Sequence, residues 1–147
     1  MTRSHRIRLH AAWRRLSGAG VIAPQELHTW SEPPAAQAVG AVGGKLISLP
    51  DTALRDCAAP RVTYCRQFNR PSGIGPEDRI WIDCDLFASA TRVLLNGQEI
   101  PSPEPGQRLE ITDLLRPHNE LRVVVAAESF AKASLAAVAE LTIETDT

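Results

Sequence analysis

The sequence has few aromatic residues, few cysteines and no long apolar segment. Aromatic side chains make up 5% of the chain, and its three cysteines are Cys57, Cys65 and Cys84. An odd number of cysteines without a CxxC spacing argues against a disulfide framework and against a structural zinc site. A single disulfide between Cys65 and Cys84 stays open. No apolar run approaches the ~20 residues that span a bilayer, so we expect no membrane segment.

The sequence also lacks an excess of charge of either sign. It has 16 basic residues, of which 14 are arginine, and 17 acidic residues, so the net charge is -1. No global field therefore draws the protein to nucleic acid or to an anionic membrane. With 147 residues, the chain is expected to form a single domain over residues 1–147 that needs no metal or disulfide.

The N-terminal segment contains five arginines and no acid in its first 25 residues, which is a feature of transit peptides. However, apolar and basic residues alternate there with period 2, which is typical of a half-buried strand. We therefore predict a strand over residues 6–16 and no export signal, which gives a cytoplasmic location by default. Prolines and glycines interrupt residues 17–44, and we predict a long surface loop there.

Residues 45–145 are predicted to form the core of the domain from short strands of alternating polarity separated by turns. The Asn96-Gly97 pair tolerates positive φ at both positions and favours a type I′ hairpin. Thr112 and Asp113 are expected to N-cap a single helical turn. The alanine-rich segment 126–137 is compatible with either a short helix or a loop. The pattern predicts an all-β fold, an antiparallel β-sandwich with one short helical turn.

Four motifs follow one another in the second half of the chain. They are Tyr-x-Arg-x-Phe at 64–68, Val-x-Leu-Asn-Gly at 93–97, Ile-Thr-x-Leu-Leu at 111–115 and Asn-x-Leu-x-Val-x-Val at 119–125. In this order and spacing they resemble the sugar-binding domain of glycoside hydrolase family 2, a galactose-binding-domain-like jelly roll. The resemblance implies a carbohydrate or a glycan-processing protein as partner. It leaves a structural calcium open, although no cofactor is indicated.

The resemblance also implies that this chain is not an enzyme, because the family's catalytic residues lie in a separate barrel. We therefore expect a non-catalytic carbohydrate-binding or accessory module. Residues 128–136 depart from the family pattern because they contain no glycine. The alternative hypothesis is accordingly a protein-interaction or oligomerisation module that has lost sugar binding, with a homo-oligomer as one form.

The candidate ligand-binding residues are Trp30, His28 and Glu32 in the long loop and Arg70 in the turn at 69–78. An exposed indole stacks on a sugar ring while polar neighbours bind the hydroxyl groups, which is why these residue types favour carbohydrate. The scattered histidines predict no metal site.

Three residues have expected structural roles, namely Arg66, Asn96 and Gly97. Arg66 shares a strand face with apolar residues and needs an acidic or carbonyl partner. Asp83 and Asp85 share a strand face and could in principle act as acid and base. We expect them instead to pair with arginines or to face solvent, and no catalytic residue is assigned.

Overall fold

The structure of the protein, a computed structural model, describes residues 2–17, 45–101 and 108–146. Within these ranges the chain forms two antiparallel β-sheets with a common core between them. The strands are β1 (Thr2–Arg8), β2 (Trp13–Ser17), β3 (Lys45–Ile47), β4 (Arg61–Asn69), β5 (Asp78–Cys84), β6 (Ala90–Leu95), β7 (Gln98–Ile100), β8 (Leu109–Glu110), β9 (His118–Ala126) and β10 (Ala139–Asp146). One sheet has the order β1-β10-β5-β8 and the other the order β3-β2-β4-β9-β6-β7. The predicted antiparallel β-sandwich is confirmed.

The core is built from alternating apolar side chains of both sheets. Ile82 of β5 pairs with Leu141 of β10, Tyr64 of β4 pairs with Val123 of β9, and all four side chains are buried. Successive side chains along a strand point to opposite faces, so alternate residues of each strand enter the core. Full burial of one apolar side chain of this size stabilises the fold by about 1.5–3 kcal/mol. This alternation therefore supplies much of the driving force for the sandwich.

The N-terminal segment differs from the single strand predicted over residues 6–16. It forms two strands, β1 in the four-stranded sheet and β2 in the six-stranded sheet. The chain changes sheets at residues 9–12, where Ala12 has a φ of 63° and Trp13 Nε1 donates a 2.5 Å hydrogen bond to the carbonyl of Leu9. Because Leu9 and Trp13 are both buried, the apolar alternation continues across the break. Periodicity alone could not reveal the change of sheet.

The Asn96-Gly97 hairpin is confirmed. Leu95 of β6 lies opposite Gln98 of β7, and the φ values of Asn96 and Gly97 are 54° and 82°. Positive φ at both central residues is what a type I′ turn requires, and its twist matches that of the flanking strands.

The helical turn predicted near Thr112 is present, but the prediction that Thr112 and Asp113 cap it is wrong. Thr112–Leu114 is itself a 3-10 turn, and no side chain caps it. The Thr112 hydroxyl instead accepts a 3.0 Å hydrogen bond from the amide of Ile80 and donates to Glu110. Thr112 therefore satisfies a backbone donor of β5 beside the end of the short strand β8.

The alanine-rich segment 126–137 contains a 3-10 turn, Ala127–Ser129, and a short helix, α1 (Phe130–Ala133). Phe130 packs into the core. Two apolar residues that follow the helix, Leu135 and Val138, are 70% and 45% exposed.

The three cysteines are free thiols, so the disulfide that the sequence leaves open is not formed. Cys84 belongs to the core between the sheets. Cys65 points to the other side of the six-stranded sheet, where it lies opposite Arg122. Burial raises the pKa of both the Cys65 and the Cys84 thiols to about 12. These two thiols are therefore held neutral at physiological pH.

Candidate functional site

The strands end in two groups of connections at opposite ends of the sandwich. We call them the turn end, which comprises residues 70–77, 96–97 and 111–117, and the helical end, which comprises the 3-10 turns Thr52–Asp56, Asp85–Ser89 and Ala127–Ser129 together with α1. Along β4, Asn69 pairs with His118 at the turn end and Arg61 pairs with Ala126 at the helical end. With the usual rise per residue, the two ends of β4 are about 26 Å apart.

Arg70, one of the predicted ligand-binding residues, lies exposed at the turn end. Its backbone amide donates a 3.0 Å hydrogen bond to the carbonyl of Pro117. Beside it, Asn69 Oδ1 and His118 Nδ1 are 2.9 Å apart. These bonds fix the backbone where the 70–77 connection begins and leave the Arg70 guanidinium exposed. The ligand-binding role of Arg70 stays a prediction.

The other predicted ligand-binding residues, Trp30, His28 and Glu32, lie outside the described residues. The strands before and after their segment are β2 and β3. β2 ends opposite Val62 and β3 begins opposite Arg15, and both positions lie toward the helical end of β4. Arg70 lies beyond the opposite end of β4. A single site that contains all four residues stays a prediction.

Asn96 and Asn119 join the connections of the turn end through their side-chain amides. Asn96 Nδ2 donates a 3.0 Å hydrogen bond to Asn119 Oδ1, and Asn96 Oδ1 accepts one of 2.9 Å from the amide of Glu120. Asn119 also accepts from the amide of Arg116 and donates to its carbonyl, both at 2.8 Å. Both ends of each amide are therefore engaged within the protein, and such networks fix the backbone around them.

Arg66 lies on the core side of β4, opposite Trp13 of β2 and Leu121 of β9. Its Nη1 donates a hydrogen bond to the carbonyl of Gln67, which is one of the two kinds of partner expected for it. The buried Nε atom has no hydrogen-bond partner. Burial lowers the pKa of the Arg66 guanidinium, because the charged form loses hydration that one carbonyl does not replace.

A buried carboxylate that the sequence did not assign to a site, Asp51, joins two strands. Its Oδ2 is 2.6 Å from Arg15 Nη1 of β2 and accepts a 2.8 Å hydrogen bond from the Tyr64 hydroxyl of β4. The Tyr64 ring packs edge-on against Trp13, with 6.4 Å between the ring centroids. Burial and the hydrogen bond to Asp51 both raise the pKa of Tyr64. This cluster holds the start of the Thr52–Asp56 turn against the six-stranded sheet.

Trp81 lies on the outer face of the four-stranded sheet, as the strand alternation predicts. The Arg108 guanidinium stacks on its ring at 4.3 Å from the centroid and makes a 2.8 Å ion pair with Glu144. The register places Thr142 and Glu110 on either side of Trp81. The Trp81 side chain is partly buried, and its Nε1 atom is buried without a hydrogen-bond partner. Its ring could stack on a ligand ring only if Arg108 moved aside. The Arg108 contact is not visible in the sequence, because Trp81 and Arg108 belong to different segments.

Asp83 and Asp85 have different surroundings. Asp83 lies within β5 opposite Glu140 of β10. Asp85 Oδ2 accepts hydrogen bonds of 3.2 and 3.0 Å from the amides of Ala137 and Val138. Asp85 therefore fixes the connection that leads into β10.

The outer face of the six-stranded sheet contains a buried ion pair that sequence reasoning missed. Arg122 Nε donates a 2.6 Å hydrogen bond to Glu120 Oε1, and the Arg122 side chain is 2% exposed. Burial raises the pKa of Glu120, and the charge and hydrogen bond of Arg122 oppose that rise. Alternation along β9 predicts that both residues face away from the core, but it also predicts solvent exposure. Only the structure shows that they are buried.

Within the described ranges, no group of three or more histidine, cysteine, aspartate or glutamate side chains is placed to bind a metal ion. The same ranges contain no helix that is long and apolar enough to cross a membrane.

Solved structures with this fold include β-glucuronidases. Bifidobacterium dentium β-glucuronidase complexed with coumarin-3-O-glucuronide is 17% identical with a TM-score of 0.62, over 97% of this chain and 30% of that chain. Bacteroides uniformis β-glucuronidase is 18% identical with a TM-score of 0.62, over 97% and 18% of the two chains. Faecalibacterium prausnitzii β-glucuronidase is 18% identical with a TM-score of 0.61, over 97% and 31%. No family model and no curated protein sequence matches the chain.

The chain shares its fold with a domain of glycoside hydrolases. This fold agrees with the one that the resemblance drawn from the four motifs implies. The likeness covers nearly all of this chain, whereas the chain spans less than a third of each of the three enzyme chains. At these low identities the likeness shows the fold alone.

Proposed function

We propose that the chain is a non-catalytic module that binds carbohydrate or serves as an accessory to a glycan-processing protein. The observation that supports this most is that nearly all of the chain matches a minor part of enzymes named for glycan substrates. The one carboxylate pair that the sequence offered for hydrolysis, Asp83 and Asp85, is divided between a strand and a structural loop contact. Most glycosidases use two carboxyl groups that flank one glycosidic bond, whereas the Asp85 carboxylate binds two backbone amides.

We place the glycan contact in the loop that contains Trp30, His28 and Glu32. An exposed indole would supply the stacking surface, and the imidazole and carboxylate would bind hydroxyl groups. Arg70 is a further candidate contact at the turn end. Trp81 is the alternative stacking surface, because its ring lies on the outer face of the four-stranded sheet and already stacks against the Arg108 guanidinium.

A glycan array probed with the intact chain tests this proposal, followed by affinity measurements on Trp30→Ala and Trp81→Ala. Loss of one aromatic stacking contact should weaken binding by about tenfold. We therefore expect Trp30→Ala to lose about that factor and Trp81→Ala to bind like the unsubstituted protein. The reverse result would move the site to the four-stranded sheet. If the chain bound no glycan on the array, the carbohydrate-binding part of the proposal would be wrong.

A second candidate function, protein interaction or self-association, is favoured by the exposed apolar residues Leu135 and Val138. They follow α1 at the helical end, and Leu135 belongs to the segment 128–136 that departs from the family pattern. Exposed apolar groups that lie near one another are characteristic of contact surfaces. Sedimentation equilibrium on the protein and on Leu135→Ser with Val138→Ser tests for self-association. Leu46→Ser is the matched control, because Leu46 is 62% exposed on β3.

If the second candidate is correct, the protein associates in a concentration-dependent way, the double substitution yields monomers and the control substitution changes nothing. A strict monomer at high concentration would count against self-association and would leave a different protein as the partner to be sought.

A further inference from the structure

Among the described residues, β1 forms an open edge of the four-stranded sheet. In the described ranges β1 pairs with β10 on one side, and no strand pairs with it on the other. The amide of Leu9, next to β1, donates a 2.7 Å hydrogen bond to the carbonyl of Ala139. Backbone groups of successive residues in a strand point to opposite sides. Ser4, Arg6 and Arg8 therefore direct their amides and carbonyls to the open edge.

The open edge is basic. β1 contains Arg3, His5, Arg6 and Arg8 but no acidic residue, and all four side chains are exposed. Arg6 makes a long ion pair of 3.7 Å with Glu140, and its side chain remains 70% exposed. A second β1 paired against this edge would set several basic side chains near one another, and like charges directly opposite are destabilising. The charges therefore disfavour pairing between two copies of β1.

β10, which already pairs with β1, shows which pattern of side chains pairs well with this strand. β10 alternates two acids on the outer face, Glu140 and Glu144, with two apolar residues on the core side, Leu141 and Ile143. Arg8 lies directly opposite Glu140. An incoming strand with the same alternation would bring its acids beside Arg6 and Arg8, which lie on the outer face. Its apolar side chains would extend the margin of the core.

We propose that the open edge of β1 binds an extended peptide segment in which acidic and apolar residues alternate, and that this segment adds a strand to the four-stranded sheet. Backbone groups of Ser4, Arg6 and Arg8 supply the hydrogen bonds, and the arginine side chains supply the selectivity. Charged side chains on an edge strand also prevent indiscriminate pairing. The same arginines thus repel basic segments and select acidic ones. Peptide binding at this edge does not require the proposed glycan contacts.

A synthetic peptide with the sequence of β10, AELTIETD, is a suitable probe because its pattern is already matched to β1. Titration of the intact protein, followed by NMR of its backbone amides, should give saturable shifts centred on Ser4, Arg6 and Arg8. Added salt should weaken the binding, because exposed ion pairs are screened. The same peptide with its acids replaced by lysine should produce no saturable shift. Equal shifts with both peptides, or shifts centred on β5 through exchange with β10, would overturn the proposal.

Two variants separate strand addition from simple charge attraction. Ser4→Pro removes one donor from the open edge, keeps the arginines and leaves the hydrogen bonds to β10 in place. Arg6→Gln with Arg8→Gln keeps the backbone and removes two charges. We expect each of these two variants to weaken peptide binding by about fivefold. The control is Arg55→Gln with Arg116→Gln, which alters two exposed arginines elsewhere. It should bind the peptide like the original protein. Undiminished binding by Ser4→Pro, or an equal loss in the control, would refute strand addition.

Discussion

The hydrogen bond between Tyr64 and Asp51 yields a prediction about stability that can be worked out in detail. Tyr64 is fully buried, Asp51 is 5% exposed, and the hydroxyl lies 2.8 Å from Asp51 Oδ2. Tyr64→Phe removes only the hydroxyl and keeps the ring against Trp13. A hydrogen bond to a charged group contributes about 1.5–3 kcal/mol. Because Arg15 still binds the carboxylate in the variant, we expect the lower value, a loss of about 1.5 kcal/mol.

Asp51→Ala should cost more, because it removes the acceptor from both Arg15 and Tyr64. Removal of one partner from a buried ion pair costs about 3–5 kcal/mol. The Arg15 side chain is 12% exposed, so water can reach it in part and we expect about 3 kcal/mol. In the Asp51→Ala background the Tyr64→Phe substitution should then have almost no effect, since its partner is already missing.

Urea unfolding at neutral pH, followed by circular dichroism, measures these free energies of unfolding and their coupling. Thr52→Ala is the control, because Thr52 is exposed next to Asp51 and should change stability by less than about 0.5 kcal/mol. The reasoning would be refuted if Tyr64→Phe had the stability of the original protein. It would also be refuted if the two substitutions were fully additive.

Three further predictions concern other parts of the fold. Gly97→Val should lower the free energy of unfolding by about 1–3 kcal/mol, because Gly97 has a φ of 82° that a β-branched residue adopts only with strain; a thermal melt unchanged from that of the original protein would contradict this. The Thr145 hydroxyl and the Gly75 amide donate hydrogen bonds to Asp78 and lower its pKa from its ordinary value. The ionised form of Asp78 therefore stabilises the fold above the pKa of the unfolded chain, and this stability is lost as the pH falls through the lower folded-state pKa. Asp78→Asn should consequently lose less stability than the original protein in an acid titration, and an equal loss would argue against the assignment. In a thiol assay on the folded protein, Cys57 should react first, because Cys65 and Cys84 are buried with pKa values raised to about 12; rapid reaction of all three would show that the core is open.

Much of the fold could be predicted because its determinants are local. Alternation along β4, β5 and β9 predicts which side chains enter the core, and the Asn96-Gly97 pair predicts the hairpin between β6 and β7. The change of sheet at residues 9–12 could not be predicted, because the apolar alternation continues through it. The contact between Arg15 and Asp51 could not be predicted either, since the two residues are 36 positions apart and meet only once the sheet has formed.

The candidate site could be predicted from the sequence less well than the fold. Turn chemistry correctly suggests an exposed connection at Arg70, and alternation correctly places Trp81 on an outer face. The burial of Glu120 and Arg122 runs against the alternation, because a pattern of polar residues on an outer face predicts contact with solvent. Such burial depends on neighbours that no single strand encodes. The roles of Trp30, His28 and Glu32 rest on residue type and stay a proposal.

The glycan-binding proposal is tested most directly by calorimetric titration of the intact chain with the glycan that it retains best on an array. We predict saturable binding at one site, strongly reduced in Trp30→Ala and preserved in Tyr64→Phe, which removes one hydroxyl group from the core. No measurable heat with any glycan up to about 1 mM, or undiminished affinity in both Trp30→Ala and Trp81→Ala, would contradict the proposed function.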